Sequence, residues 1–188
     1  LFGVARYGAP GENAPVEGAR VLFATATARP ADLALGALRV AEIAGGDPWV
    51  ATAQLSEENA WALHALFPWT KPVSLRERTT TIGMGDRLGV ATPGHIRAAR
   101  RFEVAPVLAQ QSVRENDFIG RTFDGVVANA TWSVFQEGYR DGYGADGDHL
   151  KNIPSIDTAL ASSMPMITLD LTEVMRPEVA EWSDKEIE

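Results

Sequence analysis

The stretch TTTIGMGDRLGVATPGHIRA, residues 79–98, decides the fold expected for this chain. Its β-branched start predicts a strand over 79–84, and Thr92 followed by Pro93 predicts the N-cap and first position of a helix that runs through Arg101. Further strands are predicted at 104–110, 145–150 and 166–171, with helices at about 129–141 and 154–162 and another beginning within 176–182. Four strand–helix units in succession belong to the α/β class and predict about the first half of a TIM-like barrel.

A smaller αβ region, residues 1–78, is expected to precede the barrel units of residues 79–188. Its predicted elements are strands at 1–6, 20–26 and 48–54, a Gly/Pro loop over 8–18, a helix over 31–44 and a second helix ending at Phe67. Ser56 followed by two glutamates is typical of an N-cap with acidic residues in the first turn, so the second helix is predicted to begin there.

Composition and charge exclude several classes of protein. No stretch approaches the ~18 apolar residues of a membrane span or shows the pattern of a signal peptide, so a cytoplasmic protein with no membrane partner is expected. A net charge of -8 disfavours nucleic acid as a partner, because phosphate binding requires clustered Lys and Arg. The absence of cysteine restricts any metal site to His, carboxylate and water ligands. Of the three histidines, His64 and His95 fall within predicted helices and are expected to be structural, which leaves His149.

The loop after the first predicted barrel strand contains GMGD, residues 83–86. This resembles the start of a dinucleotide-binding fingerprint, but the third glycine position is occupied by Leu88, so dinucleotide binding is rejected. The glycines instead allow a sharp turn that places Asp86 and Arg87 at the barrel mouth, where the guanidinium could hold a substrate carboxylate through two hydrogen bonds. The alternative is an Asp–Arg pair that only closes a structural loop, and the residues alone leave both open.

The third predicted strand ends in GADGDHLK, residues 144–151. Strand alternation puts the even positions, which include Asp148, on one face and His149 with Lys151 on the other. A histidine beside a carboxylate suits a divalent transition metal, and Lys151 could hold a substrate carboxylate or lower a neighbour's pKa. A hydrogen-bonded structural histidine at the barrel mouth is the alternative, and the residues alone do not separate the two.

Polar residues also follow the second predicted strand, in the sequence VLAQQSVRE, residues 107–115. Gln111 and Ser112 offer neutral donors and acceptors of the kind that hold sugar hydroxyls, and Glu115 could bind a metal or carry a proton. The alternative is that Arg114 and Glu115 are an ordinary surface pair.

Several of these motifs together resemble the tagaturonate epimerase family of sugar-acid enzymes. The matching sequences, in order, are GDRLG, ATPGHIRA, AQQS followed by Arg-Glu, ATW followed by FQ-GYR, and D-x-DHLK. The resemblance covers residues 79–151, weakens over 152–175 and extends over less than half of a full family member, so a fragment of such an enzyme is expected.

This resemblance implies a metal-dependent enzyme that interconverts tagaturonate and fructuronate, with a small sugar acid as its partner. The residues it implies are Glu115 and Lys151 as catalytic groups, Asp86, Arg87, Gln111 and Ser112 as substrate-binding groups, and His149 and Asp148 as ligands of Zn, Mn, Ni or Co. The two sugar acids differ at a carbon that is β to the ketone, which indicates retro-aldol cleavage and re-addition rather than enolisation. The alternatives are a non-catalytic fragment that binds a sugar acid, and an aldolase or isomerase acting on another sugar acid. An open half-barrel edge also makes a homo-oligomer possible.

Overall fold

A computed structural model of the chain describes residues 2–6, 20–26, 35–36, 39–42 and 49–187. The first sheet is antiparallel, in the order β1-β2-β4-β3. Its strands are β1 (Phe2–Arg6), β2 (Arg20–Ala26), β3 (Arg39–Glu42) and β4 (Trp49–Gln54). The strands predicted near 1–6, 20–26 and 48–54 are therefore confirmed. The helix predicted over 31–44 is wrong at 39–42, because those residues pair with β4 and the sheet ladder overrides local helix propensity. The predicted loop over 8–18 lies outside the described residues.

Helix α1 (Glu57–Leu66) connects this sheet to the rest of the chain. Its N-cap is Ser56, as predicted, whose hydroxyl accepts a hydrogen bond from the backbone of Asn59 at 3.2 Å. Leu63 on α1 is fully buried and shares a core cluster with Leu22 of β2 and Trp132 of the second region. The first region therefore packs on the second through a common apolar core.

The second sheet is parallel, and its strands are neighbours in chain order, as predicted. They are β5 (Thr81–Gly83), β6 (Ala105–Ser112), β7 (Gly144–Leu150) and β8 (Met166–Leu169). The helices that follow are α2 (Thr92–Ala99), α3 (Val113–Ile119), α4 (Phe123–Glu137), α5 (Ile153–Ala161) and α6 (Asp184–Ile187). This arrangement is half of a parallel barrel, and it brings the carboxyl ends of β6, β7 and β8 together.

Three predicted helix features differ in the structure. The helix expected over 129–141 is α4, which begins earlier, at Phe123 after its N-cap Thr122, and ends at Glu137. The separate helix α3, which ends where Gly120 adopts the left-handed conformation with φ 67°, was not predicted. Thr92 is the first residue of α2 rather than its N-cap, because its hydroxyl donates to Asp86. The segment expected to begin a helix within 176–182 is a 3-10 turn at Pro177–Glu181.

The two faces of the parallel sheet have different chemistry. One face packs against the helices. On this face Gly147 of β7 lies so close to α5 that a Cβ in its place would be 2.7 Å from the Cβ of Ala159. The opposite face carries a polar row from three adjacent strands: Asp146 is completely buried and accepts hydrogen bonds from Gln110 at 3.0 Å and Thr168 at 2.9 Å. This row lies directly below the strand ends that carry the predicted site residues.

Candidate functional site at the carboxyl ends of the parallel strands

Parallel pairing aligns the predicted site residues of neighbouring strands. In the β6–β7 register, Gln111 is opposite Gly147 and Ser112 is opposite Asp148, with His149 one residue further along. Two adjoining clefts open here. The β7 cleft, of about 470 Å³, is lined among others by Ser112, Arg114, His149, Lys151, Asp170 and Thr172. The α3 cleft, of about 810 Å³, is lined among others by Arg87, Leu88, Gln111, Arg114, Glu115 and Phe118. Six of the eight predicted residues line one cleft or the other, Asp86 and Asp148 line neither, and the two clefts share Arg114 and Asp117.

His149 lies on an irregularity of β7 that the sequence pattern did not predict. Its φ is 56°, in the left-handed region that residues other than glycine seldom adopt, and the β7–β8 register shifts between Gly147 and Leu150. The expectation that all even positions share one face is therefore wrong: Leu150 is buried in the core with Met164, whereas Asp146 belongs to the polar row. Bulges of this kind re-aim side chains and occur next to active sites.

The imidazole of His149 lies between two carboxylates. Its Nδ1 is 3.5 Å from Oδ2 of Asp170, and its Nε2 is 3.8 Å from Oδ2 of Asp148. Burial raises the pKa of Asp148, and the neighbouring charges of Asp146 and Glu115 act in the same direction, whereas His149 opposes them. Asp148 and Asp170 therefore lie on either side of the imidazole at the end of β7.

Asp170 and Lys151 form the other side of the β7 cleft. Two hydrogen bonds from Thr172, first from its hydroxyl and then from its backbone N–H, lower the pKa of Asp170 to about 2. Lys151 donates to Glu173 at 2.9 Å and lies 3.8 Å from Asp170, and the hydrogen bond to Glu173 raises its pKa. A lysine with a raised pKa stays protonated at neutral pH, so it is suited to holding an anion rather than accepting a proton.

Ser112 and Glu115 are arranged around the start of α3. The Ser112 hydroxyl accepts a hydrogen bond from the backbone N–H of Glu115 at 3.2 Å and so caps this helix. Its own hydroxyl proton is still available for donation to a ligand. The carboxylate of Glu115 pairs with the guanidinium of Arg87, whose side chain is 72% exposed. Glu115 is therefore paired with Arg87 rather than with its sequence neighbour Arg114.

Asp86 lies near the clefts but lines neither of them. Its carboxylate accepts hydrogen bonds from four backbone N–H groups, those of residues 88, 89, 91 and 92, and from the Thr92 hydroxyl. Burial raises the pKa of this carboxyl, but the hydrogen bonds from Thr92 and its neighbours prevail and lower it. The geometry favours the structural-loop interpretation of Asp86, and substrate binding by this residue stays a prediction.

Gln111 is buried behind the α3 cleft, and its position depends on Arg121. One guanidinium nitrogen of Arg121 donates to Oε1 of Gln111 at 2.9 Å and to the backbone carbonyls of Asp86 and Arg87 at 2.8 and 2.9 Å. The amide nitrogen of Gln111 is buried and has no hydrogen-bond partner in the described part of the chain. Arg121 thus joins the loop after β5 to the end of β6.

Sequence reasoning missed two residues of this region, Arg121 and Asp170. Asp170 directly follows β8, so the strand-end argument applied to the other three strands could have found it. Arg121 precedes α4 at no special strand position, and nothing in the sequence marks it. His64 was correctly expected to be structural: it is hydrogen-bonded to Thr131 at 2.8 Å, and burial, with a smaller effect of Lys71, lowers its pKa to about 4.

The donor set of His149 and Asp148 is compatible with part of a metal site. An imidazole nitrogen and a carboxylate oxygen are ligands of Zn, Mn, Ni and Co. Their separation of 3.8 Å is shorter than two metal–ligand bonds of about 2.1 Å each placed end to end, so both could reach one ion. Within residues 2–6, 20–26, 35–36, 39–42 and 49–187, no group of three or more His, Asp and Glu side chains is arranged to hold a metal. The described chain thus offers two ligands.

Parallel βα units with polar side chains gathered at the carboxyl ends of the strands define the class of βα-barrel proteins. No helix among the described residues is long and apolar enough to cross a membrane. A family model described as tagaturonate epimerase matches residues 26–188, and the chain belongs to this family.

Relatives of known sequence and structure agree with this assignment. The chain is 43% identical over 131 residues to a tagaturonate/fructuronate epimerase of Thermotoga maritima, with 70% of this chain and 27% of the relative covered. It is 41% identical to the fructuronate-tagaturonate epimerase of Cohnella laeviribosi, whose native and glycerol-complexed crystal structures each match with a TM-score of 0.76. These matches cover 92% of this chain and 34% of the solved chain. The chain therefore spans about a quarter to a third of the length of these relatives.

Proposed function

We propose that this chain supplies part of the active site of an epimerase that interconverts tagaturonate and fructuronate. Family membership and the activities of relatives more than 40% identical support the reaction. The observation that carries the proposal is the group formed by His149, Asp148 and Lys151 at the end of β7, where the D-x-DHLK motif falls. Chemistry at the carboxyl ends of barrel strands is the rule for this fold.

The reaction inverts a hydroxyl-bearing carbon that is β to the ketone of the sugar acid. The hydrogen on that carbon is not acidic, so enolisation cannot invert it. A base instead removes the proton of its hydroxyl group, and the bond to the α-carbon breaks to give an aldehyde and an enediolate. The aldehyde rotates, the carbon–carbon bond forms again on its other face, and the proton returns to the new hydroxyl. Atoms and electrons balance without an oxidant or a reductant.

The chain's own residues have distinct roles in this proposal. Glu115 moves the hydroxyl proton, since a carboxylate is a suitable proton carrier and this one lines the α3 cleft. Lys151 holds the substrate carboxylate as a protonated ammonium group in the β7 cleft. The amide of Gln111 and the hydroxyl of Ser112 are placed at the end of β6, where they can orient sugar hydroxyls.

His149 and Asp148 would hold a divalent metal ion in this site. When bound, such an ion supplies Lewis acidity that stabilises negative charge on substrate oxygens. The remaining ligands would come from outside the described residues.

Conversion of tagaturonate, followed by NMR, tests the proposed reaction. A full-length protein that contains this sequence is treated with a chelator and then assayed with and without added Zn, Mn, Ni or Co. We expect fructuronate to form only with metal, and binding without conversion would favour the alternative of a sugar-acid-binding fragment. In deuterated water the inverted carbon should keep its hydrogen, because retro-aldol cleavage leaves that bond intact. Deuterium at this carbon would rule out the retro-aldol route while leaving the epimerase assignment in place.

A further inference from the structure

We propose that Asp170 is a positioning residue that fixes the tautomer of His149, with the proton on Nδ1 and the lone pair on Nε2. Asp170 directly follows β8, and its backbone N–H donates to the carbonyl of Leu150 at 2.9 Å. This backbone hydrogen bond crosses from β8 to β7 next to the bulge that carries His149. Asp170 is therefore tied to the irregular part of the neighbouring strand.

The two carboxylate oxygens of Asp170 have different surroundings. Oδ1 accepts two hydrogen bonds from Thr172, at 3.0 Å from its backbone N–H and 2.6 Å from its hydroxyl. This pair holds the carboxylate in one orientation and points Oδ2 at the β7 cleft. Oδ2 lies 3.5 Å from Nδ1 of His149 and 3.8 Å from Nζ of Lys151. One fixed oxygen therefore faces both His149 and Lys151.

The tautomer follows from what each group can donate or accept. A carboxylate oxygen only accepts hydrogen bonds, so the imidazole nitrogen that faces it is the one that carries the proton. In the neutral ring the lone pair is then on Nε2, which lies 3.8 Å from Oδ2 of Asp148. Two electron-rich atoms in this arrangement repel each other unless a cation lies between them. Fixing the far nitrogen of a metal-binding histidine is the usual task of a supporting carboxylate.

The proposed tautomer is independent of the proposed function, whereas the use of Nε2 as a ligand rests on it. The experiment therefore has two arms. Only three histidines are present in the chain, so a sample labelled with ¹⁵N-histidine gives three ring systems, which His149→Gln and His64→Gln assign. Long-range ¹H–¹⁵N correlation spectra of the metal-free chain at a pH where the ring is neutral then report which nitrogen of His149 carries the proton.

We expect the Nδ1–H form of His149 to predominate in the unmodified chain. Asp170→Ala should reverse the tautomer ratio, because a free imidazole prefers the proton on Nε2. The matched control is Glu173→Gln, which removes the other carboxylate partner of Lys151 but no contact of His149, and should leave the ratio unchanged. An Nε2–H form in the unmodified chain, or an unchanged ratio in Asp170→Ala, overturns the proposal. The unmodified spectrum decides the matter even if Asp170→Ala does not fold, and unchanged His64 and His95 signals report a folded variant.

The second arm measures Co²⁺ or Zn²⁺ binding by calorimetry in an epimerase that contains this sequence, because the described residues supply only two ligands. Loss of a carboxylate that supports a metal-binding histidine typically weakens metal affinity by about 10- to 100-fold, and Asp170→Ala should fall in this range. Glu173→Gln should bind the ion with unchanged affinity. If the chain shows the Nδ1–H tautomer but the epimerase that contains it binds no metal ion, the tautomer assignment stands and the metal part of the proposed function fails. If metal binds and Asp170→Ala binds it equally tightly, the positioning role is wrong.

Discussion

The loop after β5 and the end of β7 occupy equivalent places in the parallel sheet but use their polar residues in opposite ways. In the loop, the carboxylate of Asp86 accepts five hydrogen bonds from residues 88–92, four of them from backbone N–H groups. Its hydrogen-bonding capacity is therefore used within the loop. At the end of β7, Nε2 of His149 and Oδ2 of Asp148 lie 3.8 Å apart, and the His149 side chain is 60% exposed. A polar residue at a strand end is a candidate for chemistry only when local backbone does not already use its hydrogen-bonding capacity.

The local geometry explains this difference. The chain leaves β5 beside β6 so closely that a Cβ at Gly85 would lie 2.4 Å from the backbone oxygen of Gln110. A turn this tight leaves several backbone N–H groups without a sheet partner, and the Asp86 carboxylate satisfies them. At the end of β7 the bulge at His149 instead turns the side chain away from the ladder, towards Asp170 of the neighbouring strand.

The strongest test of the comparison is His149→Ala, measured in an active epimerase that contains this sequence. Loss of a metal ligand should lower turnover by about 10³-fold, or ~4 kcal/mol of transition-state stabilisation. The free energy of unfolding should change by less than about 0.5 kcal/mol, because the side chain is 60% exposed. Elemental analysis should show loss of bound metal. Normal turnover with metal retained would make His149 a structural histidine of the barrel mouth.

Asp86→Ala should have the opposite signature, a loss of about 3 kcal/mol of unfolding free energy, because several buried N–H groups lose a charged acceptor. The pKa of Asp86 is lowered in the folded chain, so its ionisation stabilises the fold above the ordinary value of 3.8. This contribution is lost as the pH falls through the lower, folded-state pKa. Denaturant titrations at several pH values measure both effects.

Asp86→Asn is the control for charge, since it keeps the shape of the side chain. Its unfolding free energy should show a weaker dependence on pH below about 4 than that of the unmodified chain. If Asp86→Ala instead left stability unchanged and weakened substrate binding, the loop would resemble the end of β7 and the comparison would fail.

Arg121→Met should destabilise the fold by about 2 kcal/mol, less than Asp86→Ala, because the guanidinium is only partly buried and water can replace some of its hydrogen bonds. The carbonyls of Asp86 and Arg87 and the amide of Gln111 lose their shared donor. Chemical denaturation measures this effect. Arg101→Met, at an exposed position after α2, is the matched control and should change stability by less than about 0.5 kcal/mol. Equal effects of the two substitutions would show that Arg121 does not fasten the loop.

The parallel half of the fold was predictable from sequence because short strand-like segments bounded by turn residues alternate there with helical segments. Strands β6, β7 and β8 lie within two residues of their predicted ends. Strand β3 was not predictable, since its residues 39–42 become extended only by pairing with β4. A local pattern contains no information about a partner that is distant in the sequence.

The candidate site was predictable as a set of positions but not as a set of contacts. Strand ends identified Gln111, Ser112, Asp148 and His149 as neighbours, and the register confirms that they are. Alternation assumes a regular strand, so it could not predict the left-handed residue at position 149 or its contact with Asp170. Side-chain pairing could not be predicted from the sequence either, since Glu115 pairs with Arg87 and not with the adjacent Arg114.

Lys151→Met gives the smallest of the expected effects and tests whether the end of β7 contains separable roles. A protonated lysine that holds only the substrate carboxylate contributes equally to the ground state and the transition state, so KM should rise roughly tenfold while kcat stays nearly constant. Lys151 already contacts Glu173 and Asp170, and substrate must compete with these partners, which limits the effect. Steady-state kinetics measure the two constants, with Lys185→Met, in the exposed helix α6, as the control. A fall in kcat with unchanged KM would mean that Lys151 acts on the reacting carbon, and that the end of β7 combines proton transfer with metal binding.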